Sequence, residues 1–167
     1  MLQQIIKAGE TDEMSGSRIK VLGELGSNIL VVDDEQIILD LLKRVLNREG
    51  YQVSTVRCAD EAVSEIYRGA YDLAITDVDL RSSDGRELME RIGEASPQTA
   101  IVLMTGHAEE EVVSFARANA QGLLKKPFAL DQLLATVRAA LELRGQSTRE
   151  VDAVPSLESR LRAGVQA

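Results

Sequence analysis

The chain has 167 residues, of which 44% are hydrophobic and 28% charged, a composition typical of a folded globular domain rather than a disordered or fibrous chain. Its 27 acidic and 19 basic side chains give a net charge of −8, which argues against a surface that binds nucleic acid by neutralising phosphates. The single cysteine, Cys58, excludes an intramolecular disulfide and a metal site built from several cysteines.

The first 27 residues are polar and contain several glycines, so we interpret residues 1–27 as an N-terminal extension. They lack the basic start and apolar middle of a signal peptide. Nowhere does the sequence contain an apolar run of the ~18–20 residues that a membrane span needs. We therefore expect a cytoplasmic protein that has no membrane partner and makes no direct contact with nucleic acid.

Strands and helices are predicted to alternate along the central part of the chain. The run Asn28–Asp33 is apolar until its acidic end, as expected of a parallel strand buried on both faces. From Gln36 onward, apolar residues recur with the spacing of one helix face until Gly50, a natural helix stop. The same alternation predicts strands Tyr51–Val56, Tyr71–Thr76, Thr99–Met104 and Leu123–Lys125 and helices Asp60–Arg68, Asp84–Glu94, Glu109–Ala118 and Leu130–Leu143.

These five strand–helix units predict an α/β fold: a doubly wound, five-stranded parallel sheet with helices on both faces. Beyond the last helix, Gly145–Ala167 contains glycine, serine, threonine and Pro155, followed by Leu157 and Leu161 with helical spacing. We interpret residues 145–167 as a loose tail or linker with at most one weak helix. The predicted folded domain is therefore 28–144.

Polar residues lie at the carboxyl ends of four of the predicted strands. They are Asp33 and Asp34 after the first strand, Asp77 after the third, Thr105 after the fourth and Lys126 after the fifth. In open parallel sheets the ligand binds outside this edge, near the point where the strand order reverses. We expect these five groups to converge there.

The chemistry of this set suits phosphoryl transfer. Three neighbouring carboxylates repel one another unless a cation lies between them, and oxygen ligands alone favour Mg²⁺. A lysine and a hydroxyl supply the positive charge and hydrogen-bond donor that a transferring phosphoryl group requires. Asp77 is the natural nucleophile, because it lies at the centre of the sheet and a carboxylate can form an acyl phosphate.

Each feature alone also has an ordinary structural explanation. Adjacent acids before a helix often form an N-cap, Thr105-Gly106 suits a turn at a strand end, and Lys126-Pro127 suits a loop with a solvated lysine. The functional interpretation is favoured because these residues follow separate predicted strands in the required order.

The same segments resemble the receiver domain of bacterial two-component response regulators over about Asn28–Arg144. The motifs that carry the resemblance are Asn28-Ile-Leu-Val-Val-Asp-Asp-Glu35, Asp72-Leu-Ala-Ile-Thr-Asp77 with Asp84-Gly85, Ile101-Val-Leu-Met-Thr-Gly106 and Lys126-Pro-Phe128. The resemblance implies the (βα)5 flavodoxin-like receiver fold and a signalling domain that accepts phosphate rather than an enzyme with turnover. It also implies a cis peptide bond at Lys126–Pro127.

The resemblance further implies a role for each site residue. Asp77 would accept a phosphoryl group from a histidine kinase or a histidine phosphotransfer protein. Asp34 and Asp77 would bind Mg²⁺ directly, with Asp33 acting through water and the Asp79 carbonyl as a further ligand. Thr105 would bond to the phosphoryl oxygen and Lys126 would pair with it.

Phosphorylation would then change one face of the domain. In the family this face comprises the fourth helix, fifth strand and fifth helix, which are predicted here as Glu109–Ala118, Leu123–Lys125 and Leu130–Leu143. A second copy of the chain or an output partner would bind there.

Three positions depart from the usual family pattern. Arg81 stands where the family usually has a proline, so we expect a less rigid loop after the phosphoacceptor. Leu123 stands where many receivers carry an aromatic residue, so we expect no inward swing of a ring. Asp79 adds an acid that is either a solvent-facing loop residue or a group that tunes the lifetime of the phosphoryl group.

The main alternative is a haloacid-dehalogenase-like phosphatase, because Asp77 and Asp79 also match the Asp-x-Asp pair of that superfamily. Against it, that motif normally closes the first strand, and no acid pair follows the lysine here. A receiver-shaped module that no longer accepts phosphate has little support, since Asp77, Thr105 and Lys126 are all present. A nucleotide-binding Rossmann domain lacks its Gly-x-Gly-x-x-Gly turn. We interpret the single histidine, His107, as a residue at the rim of the site.

Overall fold

The computed structural model describes residues 26–80, 85–107 and 109–152, and the structural statements below concern these residues. The predicted N-terminal extension therefore lies almost entirely outside the described residues, as does the chain from 153 onward. Within this part of the chain, no helix combines the length and apolar composition required to cross a membrane.

Five strands alternate with five helices. They are β1 (Asn28–Val32), α1 (Gln36–Arg48), β2 (Gln52–Val56), α2 (Ala59–Arg68), β3 (Leu73–Asp77), α3 (Gly85–Ala95), β4 (Ala100–Thr105), α4 (Glu110–Asn119), β5 (Gly122–Lys125) and α5 (Leu130–Asp152). All neighbouring strands are parallel and the order is β2-β1-β3-β4-β5. This confirms the predicted fold, and the strand order reverses between β1 and β3, whose carboxyl ends carry Asp33 and Asp77.

The sheet separates two hydrophobic cores. Alternate residues of β1 face opposite sides, so Ile29 and Val31 belong to one core and Leu30 and Val32 to the other. The first, which we call the α1/α5 core, includes Leu39, Leu42 and Leu46 of α1 and Leu133, Val137, Ala140 and Leu141 of α5. The second, the α2–α4 core, includes Ala62 and Ile66 of α2, Leu88 and Ile92 of α3 and Val112 and Ala116 of α4. The buried sheet thus presents only its edges and strand ends to ligands.

Most predicted boundaries lie within two residues of those observed, but the end of α5 was predicted wrongly. The helix continues from the predicted end at Leu143 through Gly145 to Asp152. One glycine inside a helix costs only about 1 kcal/mol relative to alanine, and no proline occurs within the helix, the next one along the chain being Pro155. Residues 145–152 are therefore helical rather than a loose linker, while the expected weak helix at Leu157 and Leu161 lies outside the described residues.

Candidate functional site

The loop between β1 and α1 carries two acids at the carboxyl edge of the sheet. Asp33 is fully buried, and its Oδ1 atom accepts a hydrogen bond of 2.8 Å from the backbone N–H of Glu35. The N-cap of α1 is Glu35. Asp33 therefore stabilises the loop before the helix, and neither aspartate is the N-cap residue.

Asp33, Asp34 and Asp77 form a cluster in which one carboxylate oxygen of each lies within 4.8 Å of the others. Asp77 is the last residue of β3 and is only 5% exposed, and Asp34 is half-buried. Three carboxylates at this spacing repel one another strongly, since burial weakens solvent screening. The cluster is therefore built to hold positive charge.

Lys126, directly after β5, supplies one such charge. Its Nζ atom donates to Oδ2 of Asp33 at 2.7 Å and to Oδ2 of Asp77 at 2.6 Å. Partial burial alone lowers the pKa of Lys126, but the hydrogen bonds and charges of the two carboxylates outweigh it, so the pKa is raised above its ordinary value. The ammonium group therefore stays charged throughout the neutral range. The expected cis peptide bond follows it, at Lys126–Pro127.

Thr105 ends β4 at the same edge and is fully buried. Its hydroxyl donates to the carbonyl oxygen of His107 at 2.7 Å and accepts from the His107 N–H at 3.0 Å. Its own carbonyl accepts from the backbone N–H of Lys126 at 2.7 Å. Thus the backbone places Thr105 beside Lys126, whereas its hydroxyl is engaged within its own loop rather than with the carboxylates.

Two residues at the rim join the loops after β3 and β4. The N–H of Asp79 donates to Oδ1 of Asp77 at 3.1 Å, and Oδ2 of Asp79 lies 3.6 Å from Nδ1 of His107. Their side chains are 54% and 80% exposed, respectively. The sequence indicated each residue as a rim or loop group but did not indicate that they meet.

Two further residues have contacts that the sequence did not indicate. Arg57, which directly follows β2, donates from its guanidinium to the carbonyl oxygen of Asp34 at 3.0 Å. Gly85, the first residue of α3, lies so close to β3 that a Cβ atom there would be 2.2 Å from the carbonyl oxygen of Asp77. The position of Arg57 at a strand end was the available signal for the first, whereas the close approach at Gly85 depends on helix placement.

The departures from the family pattern have different outcomes. Arg81 lies outside the described residues. Leu123 is half-buried and packs against the α2–α4 core. The single cysteine, Cys58, is not one of these departures; it is half-buried and is the N-cap residue of α2.

The carboxylate cluster fits a Mg²⁺ ion. It offers oxygen donors from three acids on two neighbouring strand ends, and this donor set is the one that hard divalent cations prefer. Two of the three acids, Asp33 and Asp77, also accept hydrogen bonds from Lys126.

Comparison with known sequences identifies the family. The response regulator receiver domain matches residues 29–138. The transcriptional regulatory protein TcrA of Mycobacterium tuberculosis is 36% identical over 135 residues, covering 80% of this chain and 51% of TcrA. The nitrogen assimilation regulatory protein NtrX of Azorhizobium caulinodans is 36% identical over 121 residues, covering 71% of this chain and 27% of NtrX. The chain thus spans about half or less of the length of these two relatives.

Solved structures agree with this assignment. A CheY-like response regulator receiver domain protein from Methanospirillum hungatei is 31% identical with a TM-score of 0.69, covering 73% of this chain and 98% of that one. The response regulator TrrA of Thermotoga maritima, crystallised with Mg²⁺ and BeF, is 33% identical with a TM-score of 0.61. The match covers 67% of this chain and 96% of the TrrA chain. The match to the receiver family covers residues 29–138, which include both Asp77 and Asp79. The phosphatase alternative therefore has no support. The chain belongs to the response regulator receiver domains of two-component signalling systems.

Proposed function

We propose that Asp77 is the phosphoacceptor and that its phosphoryl group comes from a histidine kinase or a histidine phosphotransfer protein. The observation that carries the proposal is the Lys126 ammonium, bonded to both Asp33 and Asp77 inside a cluster of three carboxylates. The proposed nucleophile Asp77, the Lys126 ammonium and the acidic metal site therefore lie together at the carboxyl edge of the sheet, as phosphoryl transfer requires.

In the transfer step, a carboxylate oxygen of Asp77 bonds to phosphorus while the phosphorus–nitrogen bond of the phosphohistidine breaks, and the histidine nitrogen keeps the electron pair. We assign Asp34, Asp77 and the Asp79 carbonyl as Mg²⁺ ligands, with Asp33 acting through water. Bound Mg²⁺ would offset the repulsion between the carboxylates and the incoming phosphate. Lys126 would pair with the phosphoryl oxygens.

Thr105 links the site to the rest of the domain. Its hydroxyl donates to the carbonyl oxygen of His107 in the loop after β4, so donation to a phosphoryl oxygen requires this hydrogen bond to break. That loop leads into α4, and we therefore propose that phosphorylation alters the face formed by α4, β5 and α5. The partner at this face would be a second copy of the chain or an output protein.

Membership of the family supports the remaining proposals. We propose residues 28–144 as the receiver domain, with residues 1–27 as an extension and 145–167 as a tail whose first part, up to Asp152, continues α5. The domain acts as a signalling component in the cytoplasm, and its only chemistry is its own phosphorylation and dephosphorylation.

The test is labelling with acetyl phosphate and Mg²⁺. Wild-type protein should gain one hydroxylamine-sensitive phosphoryl group, whereas Asp77→Asn should gain none. Asp40→Asn is the control, because Asp40 is an exposed acid on α1 whose Oδ1 accepts from Gln36. Labelling of Asp77→Asn at the wild-type rate would show that the phosphoacceptor is misassigned.

A further inference from the structure

Arg57 connects two loops at the edge of the carboxylate cluster. Its guanidinium donates to the carbonyl oxygen of Asp34 in the β1–α1 loop at 3.0 Å. Its backbone N–H donates to Oε2 of Glu61 on α2 at 3.3 Å, which holds the residue from its own side. The Asp34 backbone is therefore tied to the neighbouring strand end by a side chain that the proposed chemistry does not use.

Asp34 differs from the other two acids of the cluster in how it is held. Asp33 and Asp77 are buried and accept hydrogen bonds from Lys126, whereas Asp34 is only half-buried. A carboxylate can coordinate a metal only where its backbone places it, and Mg²⁺ tolerates little deviation from octahedral geometry. The contact between Arg57 and the Asp34 carbonyl is thus an outer contact of a metal ligand, the kind that orients such ligands.

We infer that Arg57 is a positioning residue for Asp34 and thereby sets the Mg²⁺ affinity of the cluster. The inference rests on the proposed function, which makes Asp34 a Mg²⁺ ligand. Arg57 has two opposing effects on a bound cation: its charge repels Mg²⁺, and its hydrogen bond orients a ligand of Mg²⁺. Arg57 is exposed, so solvent and salt screen the repulsion, and the orienting effect dominates.

The two effects predict opposite results for Arg57→Ala, which makes the inference testable. Mg²⁺ is titrated calorimetrically into the metal-free full-length protein at physiological ionic strength. Arg57→Ala should bind Mg²⁺ about three- to tenfold more weakly than wild type, a smaller loss than for buried outer-shell partners because Arg57 is exposed. Arg57→Lys retains the charge and one donor, so it should recover at least half of the loss on a logarithmic scale.

Arg138→Ala is the matched control. It also removes an exposed arginine with one long-range partner, Oε2 of Glu49 at 3.1 Å, but far along the sequence from the cluster. Its Mg²⁺ affinity should equal that of wild type, and thermal unfolding without metal should show that each variant is folded.

Unchanged or tighter binding by Arg57→Ala overturns the inference, because the charge effect would then equal or exceed positioning. Equal weakening in Arg57→Lys and Arg57→Ala also overturns it, since the donated hydrogen bond would not be the cause. Failure of the proposed function would give a different result from failure of this inference. Wild type would then bind no Mg²⁺, or Asp77→Asn would bind Mg²⁺ as tightly as wild type.

Discussion

At the scale of single residues, Lys126 bonds to two of the carboxylates that are proposed to hold Mg²⁺. The lysine bonds one oxygen of Asp33 and one of Asp77, so in this arrangement it neutralises part of the charge that a metal would neutralise. It is no metal ligand, because an ammonium group has donors only. Lys126 and the metal are therefore expected to repel each other while both stabilise the acidic cluster.

Lys126→Ala should consequently retain Mg²⁺ binding, at wild-type affinity or a few-fold tighter, because a nearby unit charge contributes about 1 kcal/mol even in water. The measurement is a calorimetric Mg²⁺ titration. Lys125→Ala removes the exposed neighbouring lysine and serves as the control, with a smaller effect. Weaker Mg²⁺ binding by a folded Lys126→Ala would contradict this role.

Gly85 tests how tightly α3 packs against β3, the strand that ends at Asp77. In Gly85→Ala the new methyl group would lie 2.2 Å from the carbonyl oxygen of Asp77, so backbone must shift and we expect a loss of about 2 kcal/mol or more. In Gly93→Ala, on the same helix, the methyl group meets nothing within 4 Å, and helix propensity predicts a gain of about 0.5–1 kcal/mol. Urea unfolding measures both, and similar changes in the two variants would exclude the close contact.

The sequence predicted which polar residues lie at the carboxyl edge of the sheet, because the carboxyl ends of parallel strands lie at the same edge. It therefore anticipated the three acids and Lys126. It did not predict that the Thr105 hydroxyl bonds to His107, since this depends on the backbone path of one loop. Nor did it indicate the bond from Arg57 to Asp34, which joins residues 23 positions apart through an exposed side chain.

At the scale of secondary-structure elements, one side chain joins α3 to α4. Arg86, next to Gly85, forms an ion pair of 2.8 Å with Glu111 and places its guanidinium 5.4 Å from the ring centroid of Phe115. Both partners lie on α4, the helix that follows the Thr105 loop. If α4 moves, these two contacts must therefore either break or be kept by a matching movement of the Arg86 side chain.

The two contacts are distinguishable by their salt dependence. A double-mutant cycle of Arg86→Ala and Glu111→Gln should give a coupling of about 0.2–1 kcal/mol that falls with added salt, because Glu111 is 75% exposed. A cycle of Arg86→Ala and Phe115→Leu should give about 0.5–1 kcal/mol with less salt dependence. Urea unfolding at low and high salt measures both. Equal salt dependence would contradict the separation of the two contacts.

The end of α5 is the one boundary that the sequence predicted wrongly by more than two residues. At the predicted end, the guanidinium of Arg144 bonds to Oδ1 of Asp72 at 2.7 Å and to the Gln98 carbonyl at 2.8 Å. These partners lie at the amino ends of two strands and are distant in sequence. Local signals such as Gly145 carry no information about such an anchor.

At the scale of the whole molecule, the proposed signal leaves through the face of α4, β5 and α5. A phosphoryl group adds about −1.5 to −2 charges, sufficient to draw the Thr105 hydroxyl from His107 and move the loop before α4. Amide exchange with and without Mg²⁺ and beryllofluoride should therefore differ most from Thr105 to the end of α4 and around Leu123. Differences confined to α1 and α2 would refute this route.

The two cores divide that same face. Two residues of α4, Val112 and Ala116, are buried in the α2–α4 core, whereas α5 contributes four residues to the α1/α5 core. The adjacent residues Leu123 and Leu124 of β5 pack on opposite sides of the sheet. Because phosphorylation is proposed to move α4, substitutions beneath α4 are expected to change the balance between its two positions without removing the contacts that anchor α5.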